Sequence, residues 1–451
     1  MRRRKAPPPR PPGSGPMTRK MRKLAESRPP PEDPISNLPD DLLVKIVSLL
    51  PTKDGARTQI LASRWRHLWR SAPLNLDSHG LYSYRVDLAP VVSHILSSHP
   101  GPGRRFCVCR HHLKSRPVSV DAWLRSPALD NLQELEYTFF EQPPASFFRF
   151  SRSLRALTIG CCSLPDDTIP GPLRFPLLKH LGLEDVTISE RSVQSLIDGC
   201  PAMESLLIHA CFGFRRVRII NSLTIRSIGV LDQTSYAESD LVRLQELVID
   251  NAPRLERLVR NDVENGLHVS VVAAPKLQAI GFLSDGYKFS EQCYPDHLYR
   301  LELGSTVIQG LRVESLAMAV STVKILAFRT RTLCLDTIVE LLKCFPCLEK
   351  LYIKVTILHQ KEPNNLWRRK HHNFIKRHDI RLKTLVLRRY WGNKSQVNFV
   401  TFFLLNARML ESVTLQVERY NEEFVEDQRT KLQLENRASR AAQLHFTTQR
   451  S

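Results

Sequence analysis

The sequence contains no run of eighteen apolar residues, no glycine-rich phosphate loop, no nucleophile elbow and no zinc-protease helix motif. Because a membrane-spanning helix needs about twenty mostly apolar residues, no membrane partner is expected. The other missing motifs are those that support nucleotide hydrolysis, acyl transfer and metal-dependent proteolysis. The sequence therefore predicts a protein that is not an enzyme and that uses no cofactor.

The cysteines also lack the regular spacing of a disulfide framework, and the N-terminus lacks the apolar segment of a secretory signal. Reduced thiols inside the cell are therefore expected. Two groups combine the residue types of a metal site: Cys107, Cys109, His111 and His112, and Cys344 with Cys347. Small cysteines are common in strands and at repeat corners, where they pack as apolar side chains. We predict no metal site.

Charge is uneven along the chain. Residues 1–28 hold ten basic side chains and one acid, so they carry nearly half of the formal net charge of +20. Residues 1–34 are also rich in proline and poor in large apolar residues, which predicts a disordered tail. The clusters Arg2–Lys5 and Arg19–Lys23 resemble a bipartite nuclear localisation signal, and a solubilising tail is the alternative. The expected location is the nucleus, the cytoplasm or both.

Two further basic runs contain aromatic residues, a combination found in nucleic-acid interfaces. One places Arg215, Arg216 and Arg218 beside two phenylalanines, and the other covers residues 367–372. Solvated loops explain both runs more simply, so nucleic acid is not expected as a partner.

Residues 35–70 predict three short helices. Pro39 fits the first turn of a helix, and Pro51 ends that helix. Thr52 is a candidate cap for the second helix, and Gly55 is expected to weaken its interior by about 1 kcal/mol relative to alanine. Apolar side chains recur at helical spacing in the first and third of these helices: Leu42, Leu43, Ile46, Leu49 and Leu50, then Leu61, Trp65, Leu68 and Trp69.

Three helices in about forty residues can build only a small core. Two tryptophans and a leucine-rich stripe exceed what that core requires, and aromatic residues are enriched at the centres of interfaces. Part of this apolar surface is therefore expected to face a partner. The alternative is that all of it packs against the following domain.

Three pieces of this segment carry a family resemblance: residues 35–43, residues 49–54 and residues 64–69. In order and spacing they resemble the F-box of plant F-box proteins with leucine-rich repeats. Two positions depart from the family pattern. Gly55 stands where alanine is usual, and Ala62-Ser63 replaces the more usual serine followed by a basic residue.

The resemblance implies a non-catalytic subunit of a ubiquitin ligase. Its F-box would dock on a Skp-type adaptor joined to a cullin scaffold, and its repeats would hold a protein substrate whose identity the sequence does not give. The residues expected to dock on the adaptor are Leu38, Pro39, Leu42, Leu43, Ile46, Leu49, Leu50, Leu61, Trp65 and Trp69. The competing hypothesis is a nuclear interaction scaffold that works outside any ligase.

From residue 132 onward a short pattern recurs, in which apolar residues occupy its first, fourth and sixth positions. Its mean period is about 25 residues, within the range of leucine-rich repeats. The occurrences are Leu132/Leu135/Tyr137, Leu154/Leu157/Ile159, Leu178/Leu181/Leu183, Met203/Leu206/Ile208, Ile225/Ile228/Val230, Leu244/Leu247/Ile249, Leu277/Ile280/Phe282, Leu298/Leu301/Leu303, Val323/Leu326/Phe328, Leu348/Leu351/Ile353, Leu382/Leu385/Leu387 and Leu410/Val413/Leu415.

Each repeat is expected to give one short strand and a returning segment, and stacking buries the apolar edges that no repeat buries alone. Helices are predicted at 193–197 and 338–342. A conventional α/β domain is the rival fold, and it is disfavoured because the apolar runs are very short. The predicted fold class is thus α/β: a small helical F-box followed by a repeat solenoid.

The remaining boundaries follow from these patterns. The tail covers 1–34, the F-box 35–76, a connecting segment 77–131 and the solenoid 132–446. Leu74–Leu76, at the end of the F-box range, and Phe106–Val108, in the connecting segment, are candidate first strands around a helix at 86–96. Asn421 is predicted to cap a helix over 422–436, and residues 443–446 to form a last edge strand. From about residue 380 the chain resembles the C-terminal extension, called FBD, of many plant F-box proteins.

Overall fold

The computed structural model describes residues 35, 37–78, 81, 87–109, 120–138, 142–166, 174–231, 241–260, 268–281, 322–330, 333–355, 364–369, 371–418 and 420–448. The basic tail, His111, His112 and the Leu298 motif lie outside these residues.

Helices form where apolar residues recur at three- and four-residue spacing. They are α1 (Asp40–Leu49), α2 (Thr52–Arg57), α3 (Ser63–Ser71), α4 (Leu88–Ser98), α5 (Val120–Leu124), α6 (Glu190–Asp198), α7 (Leu335–Cys344), α8 (His372–Arg377), α9 (Lys394–Asn406) and α10 (Glu422–Lys431). Within the described ranges, none of these helices has the length and apolarity that crossing a membrane requires.

Strands form where the alternation has period two, with every second side chain in the core. They are β1 (Leu74–Asp77), β2 (Gly103–Cys109), β3 (Glu134–Thr138), β4 (Ala156–Leu164), β5 (His180–Ile188), β6 (Ser205–His209), β7 (Arg216–Ile219), β8 (Ser227–Leu231), β9 (Glu246–Asn251), β10 (Arg257–Arg260), β11 (His268–Ala273), β12 (Ala279–Gly281), β13 (Ile325–Thr330), β14 (Lys350–Val355), β15 (Thr384–Arg388), β16 (Ser412–Val417) and β17 (Gln443–Thr448).

A 14-stranded parallel sheet runs from the first strand to the last, in the order β1-β2-β3-β4-β5-β6-β8-β10-β12-β13-β14-β15-β16-β17. Equivalent apolar residues of successive repeats lie side by side, as with Leu135, Leu157 and Leu181. One continuous apolar core runs along one face of this sheet. The stacking is that of a leucine-rich-repeat solenoid, and it confirms the predicted fold class.

A second parallel sheet of three strands, in the order β11-β9-β7, lies outside the main sheet. The motif Leu244/Leu247/Ile249 forms a strand as predicted, but that strand is β9 of this second sheet. The main sheet receives β10 at this point, with Leu258 in the core. The sequence pattern missed β10 because Arg260 occupies the third apolar position of its motif.

The two ends of the solenoid agree with most sequence expectations. Both candidate first strands form, as β1 and β2, and the predicted last strand forms as β17 at the sheet edge. Asn421 caps α10 by accepting a hydrogen bond from the Glu423 amide at 3.0 Å. The predicted extent of α10 to residue 436 was wrong. The helix ends at Lys431, and Gln433 then adopts a left-handed conformation with a φ of 52°.

Candidate functional site

The three F-box helices enclose a small core of their own. Its buried side chains come from α1, α3 and the residue after α3, and they are Leu43, Val47, Trp65, Leu68 and Ala72. Arg64 fastens α3 to the start of α1, because its guanidinium donates to the Asp40 carboxylate and to the Leu38 carbonyl oxygen, each at 2.6 Å. The F-box is therefore a folded unit and not a set of separate helices.

The F-box is also joined to the first strand of the solenoid. The hydroxyl of Thr52 donates to the carbonyl oxygen of Asn75 and accepts from the Asp77 amide at 2.9 Å. The side-chain amide of Asn75 donates in turn to the Ser48 carbonyl oxygen. The prediction that Thr52 caps α2 was wrong, because Pro51 holds the cap position and the hydroxyl is used across this junction.

Trp69 belongs to the same junction. Its indole lies against Gly55 of α2 on one side, and its ring packs edge-on against His99 with the centroids 5.1 Å apart. The His99 ring nitrogen Nε2 lies 3.1 Å from the Trp69 carbonyl oxygen. Burial at this contact lowers the pKa of His99, while its hydrogen bonds act in the opposite direction. Trp69 therefore connects the F-box to the solenoid.

The side of α1 that faces away from the core is apolar too. Leu42, Ile46 and Leu49 follow one another at four- and three-residue spacing and are 45%, 41% and 75% exposed. Ile60 and Leu61, after α2, are 83% and 64% exposed. We call these five side chains the F-box apolar surface. Exposed aliphatic side chains on one small helical unit are typical of a protein–protein interface.

The structure places the ten predicted docking residues in different environments. Four belong to the F-box apolar surface: Leu42, Ile46, Leu49 and Leu61. Pro39 is exposed at the start of α1, while Leu38, Leu50 and Trp69 are half-buried. Leu43 and Trp65 lie in the F-box core and are 0% and 8% exposed. Sequence reasoning missed Ile60, whose neighbour Leu61 was the available signal.

The second candidate surface is the face of the 14-stranded sheet opposite its core, which we call the open face. Strand register places one residue of every repeat in each row across this face. Acidic side chains occur in its first strands, at Asp77, Glu134 and Glu136, and lysines occur at Lys350 and Lys354 of β14. The charge of the side chains on the open face therefore changes from acidic in the first strands to basic in β14.

Four cysteines of the solenoid, Cys107, Cys162, Cys200 and Cys211, are buried packing residues. Burial raises the pKa of Cys162, Cys200 and Cys211 to about 12, so these thiols stay protonated at neutral pH. Cys107 is buried and its thiol donates to the Glu136 carboxylate at 2.8 Å. Across the described ranges, no three histidine, cysteine, aspartate or glutamate side chains come together as a metal site.

Residues of both basic runs make contacts with neighbouring elements of the solenoid. The backbone amides of Arg215 and Arg216 donate to the Glu190 carboxylate of α6 at 3.0 and 3.1 Å. The guanidinium of Arg216 also pairs with Glu246 across the second sheet. In the other run, the Trp367 ring packs against the Phe402 ring at 5.6 Å between centroids. Trp367 thus makes a packing contact inside the fold.

Comparison with known families gives three matches along the chain. The family model described as FBD-associated F-box protein At5g56370, LRR repeats, matches residues 120–353. An F-box domain model matches residues 35–77, and an FBD model matches residues 378–415. The first match alone covers more than half of the chain.

Individual relatives come from Arabidopsis thaliana. F-box/LRR-repeat protein At3g03360 is 28% identical over 71% of this chain and 70% of its own length. FBD-associated F-box protein At5g38590 is 31% identical over 54% of this chain and 60% of its own length. F-box/FBD/LRR-repeat protein At3g52680 is 33% identical over 40% of this chain and 41% of its own length. The chain thus spans less than two thirds of the last two relatives.

Proposed function

The chain belongs to the plant FBD-associated F-box proteins with leucine-rich repeats, and from this membership we propose that it is a substrate-recognition subunit of a Skp-cullin-F-box ubiquitin ligase. F-box proteins with leucine-rich repeats are generally non-catalytic adaptors. In this role the F-box docks on a Skp-type adaptor joined to a cullin, and the solenoid holds the protein that receives ubiquitin.

The observation that carries the proposal is the F-box apolar surface. Its five side chains sit on a unit that already has its own core, and packing among the described residues leaves all five exposed. An interface core is depleted of charge and rich in large apolar residues, as this surface is. The F-box core and its junction with β1 hold the surface in place. In this proposal the open face of the sheet holds the substrate.

Affinity purification of the tagged full chain from plant cells tests this proposal. We expect a Skp-type adaptor and a cullin in the purified complex, and we expect both to be lost with Leu49→Asp. Leu49 is 75% exposed, so this change leaves the F-box core intact. A matched control is Leu223→Asp, at a leucine 65% exposed in the solenoid. If the wild-type complex lacks the adaptor, the ligase proposal is wrong and the scaffold hypothesis is favoured.

We propose, further, that the protein acts in the nucleus as well as the cytoplasm. The support is the pair of basic clusters in residues 1–28. A substrate-recognition subunit meets its substrate only in a shared compartment, so the tail would determine which proteins are available to the solenoid.

A further inference from the structure

The last five strands of the main sheet, β13 to β17, contain no aspartate or glutamate. Lysine and arginine, which keep their charge at neutral pH, occur in three of them: Arg329 in β13, Lys350 and Lys354 in β14, and Arg388 in β15. These strands therefore give the C-terminal end of the sheet a positive charge that no acid within the strands offsets.

The burial pattern of β14 and β15 assigns their cations to the open face. Leu351 and Ile353 lie in the core, so the alternate residues Lys350 and Lys354 lie on the opposite side of β14. Arg388 occupies the same side of β15, where burial alternates in the same way. Lys350 is exposed and makes no ion pair with any residue that the structure describes. The open face thus presents accessible positive charge at this end.

Two of these cations occupy directly opposed positions. Strand register places Lys354 beside Arg388, and neighbouring strands lie about 4.8 Å apart. Like charges at opposed positions of a sheet are destabilising. Register also pairs Arg329 with Lys354 from the other side, so three successive strands carry a cationic residue at one level. An anion bound at this level would reduce the repulsion.

Neutral hydrogen-bonding groups surround the cations on the open face. Hydroxyl and amide side chains continue the same two rows across the sheet: Thr384, Ser412 and Gln443 beside Lys350, and Gln416 and Thr447 beyond Arg388. Both kinds of group can donate hydrogen bonds to a carboxylate. The surface therefore combines positive charge with further donors.

Glu349, the acid that precedes β14, is engaged by other lysines. Its carboxylate lies 3.1 Å from the Lys383 ammonium and 3.6 Å from the Lys324 ammonium. The hydrogen bond from Lys383 is the main reason that the pKa of Glu349 is lowered. Because two lysines at the starts of neighbouring strands already offset this carboxylate, it leaves the charge of Lys350 and Lys354 in place.

We propose that Lys350, Lys354 and Arg388 on the open face form a substrate-binding surface that takes a segment rich in aspartate and glutamate. The inference rests on the proposed function, because it names the chemistry of the substrate that the solenoid holds. Hydrogen bonds between ionised partners are stronger than neutral ones, and complementary charge also speeds encounter. Lys350 and Lys354 are four residues apart in β14, roughly 13 Å at the rise of a strand. The surface therefore spans several residues of an extended acidic segment.

Selection of short random peptides displayed on phage, against the purified full chain, tests this surface. We expect aspartate and glutamate to be enriched among the selected peptides. A selected acidic peptide should bind the double variant Lys354→Gln and Arg388→Gln about tenfold more weakly than the wild type. Its affinity for the wild-type chain should fall as salt is added. Replacing its acids by glutamine and asparagine should weaken binding to the wild type about as much as the double variant does.

Two further variants separate this surface from general effects of charge. The double variant Lys376→Gln and Arg377→Gln removes the same two charges from exposed positions of α8. It should bind the peptide within about twofold of the wild type. Lys350→Gln, at an exposed residue, should weaken the peptide by about threefold. Because that side chain lies outside the core, this single variant tests the surface even if the double variant folds poorly.

Several results would overturn the proposal: a selection without binders, selected peptides without acidic residues, or equal affinity of the wild type and the Lys354→Gln and Arg388→Gln variant. A single-stranded oligonucleotide that binds more tightly than the peptide, and is lost in the same variant, would also overturn it in favour of nucleic acid. The adaptor is measured separately in each preparation. A failed selection with the adaptor present concerns the open face alone, whereas a wild type without the adaptor overturns the ligase function.

Discussion

A methyl group on the Cα of Gly55 would collide with Cζ3 of Trp69, so the glycine is what allows the indole to pack this closely against α2. The position was expected to weaken α2 because glycine is a poor helix former. The structure gives a different account: the missing side chain creates the space in which the F-box meets the solenoid, between Gly55 and His99.

We predict that Gly55→Ala destabilises the F-box. The helix-propensity gain is about 1 kcal/mol, whereas forcing a methyl into an occupied site costs about 1–3 kcal/mol. Hydrogen exchange of the α2 and α3 amides measures the balance, with Lys53→Ala on the exposed side of α2 as the control. Slower amide exchange in Gly55→Ala than in wild type would contradict this prediction, because it would mean that Trp69 makes room for the methyl group without a loss of stability.

The solenoid core should be sensitive to truncation at the leucine of any interior repeat. Leu326 is 1% exposed and lies in β13 between two neighbouring strands. We expect Leu326→Ala to lower the free energy of unfolding by about 2–5 kcal/mol. Chemical denaturation of the purified chain measures this loss, and Leu181→Ala, at a residue 2% exposed in β5, should behave similarly.

Lys324 provides the matched control for Leu326. It is exposed, and its ammonium lies 3.6 Å from the Glu349 carboxylate. An exposed ion pair contributes about 0–1 kcal/mol, so Lys324→Ala should be nearly silent. Equal losses for Lys324→Ala and Leu326→Ala would contradict the assignment of Leu326 to the solenoid core.

Glu184 should make the fold less stable as pH rises. Its pKa is about 8 in the folded chain against 4.5 as the ordinary value, so its favourable contribution is complete below pH 4.5 and is lost as pH rises through 8. The maximum slope for one group is about 1.4 kcal/mol per pH unit. Denaturation of wild type and Glu184→Gln between pH 6.5 and 8 should show the variant gaining relative stability with pH.

His209, the residue paired with Glu184 on the next strand, affects stability at acidic pH instead. Burial lowers its pKa to about 4, so its contribution is complete above pH 6.5 and is lost as pH falls toward 4. His209 is present in both wild type and Glu184→Gln, so its own titration contributes equally to the two curves and cancels in their difference. Among the described residues, titratable groups near Glu184 include Glu136, Asp185 and Cys211. Parallel pH curves for wild type and Glu184→Gln would mean that Glu184 is ionised in the fold.

The N-terminal tail should govern location and not assembly. Deleting residues 1–28 removes both basic clusters and leaves the F-box apolar surface untouched. A fluorescent fusion of the truncated chain should shift from the nucleus toward the cytoplasm and still retain the adaptor. If the nuclear fraction of the fusion is unchanged, the two basic clusters do not direct localisation, and the solubilising role remains as their explanation.

Much of the fold could be predicted because three apolar positions in each repeat mark the strand that contributes to the core. This local signal was enough to predict β3–β6, and even the degenerate β1 and β2. The signal failed where it does not distinguish a strand of the main sheet from a strand of the second sheet. Val217, Leu247 and Val269 carry the same alternation as the main strands, yet they belong to the second sheet. Partner choice between strands depends on tertiary packing, which periodicity does not encode.

The candidate site was predictable as a segment but not side chain by side chain. Helical spacing places Leu42 and Leu43 in one apolar stripe, and only the packing of α3 shows that Leu43 is core and Leu42 is exposed. Trp65 and Trp69 differ in the same way, since one lies in the F-box core and the other at the junction.

The central claim is that the F-box apolar surface binds a Skp-type adaptor, and calorimetric titration of the full chain with purified adaptor tests it most directly. Wild type should bind, and the double variant Leu42→Asp and Ile46→Asp should lose affinity by about a hundredfold or more, because two charges would be buried at the interface core. Both side chains are more than 40% exposed, so the fold should survive, as circular dichroism would verify. Leu223→Asp should bind like wild type. Equal affinity of wild type and the double variant would contradict the account.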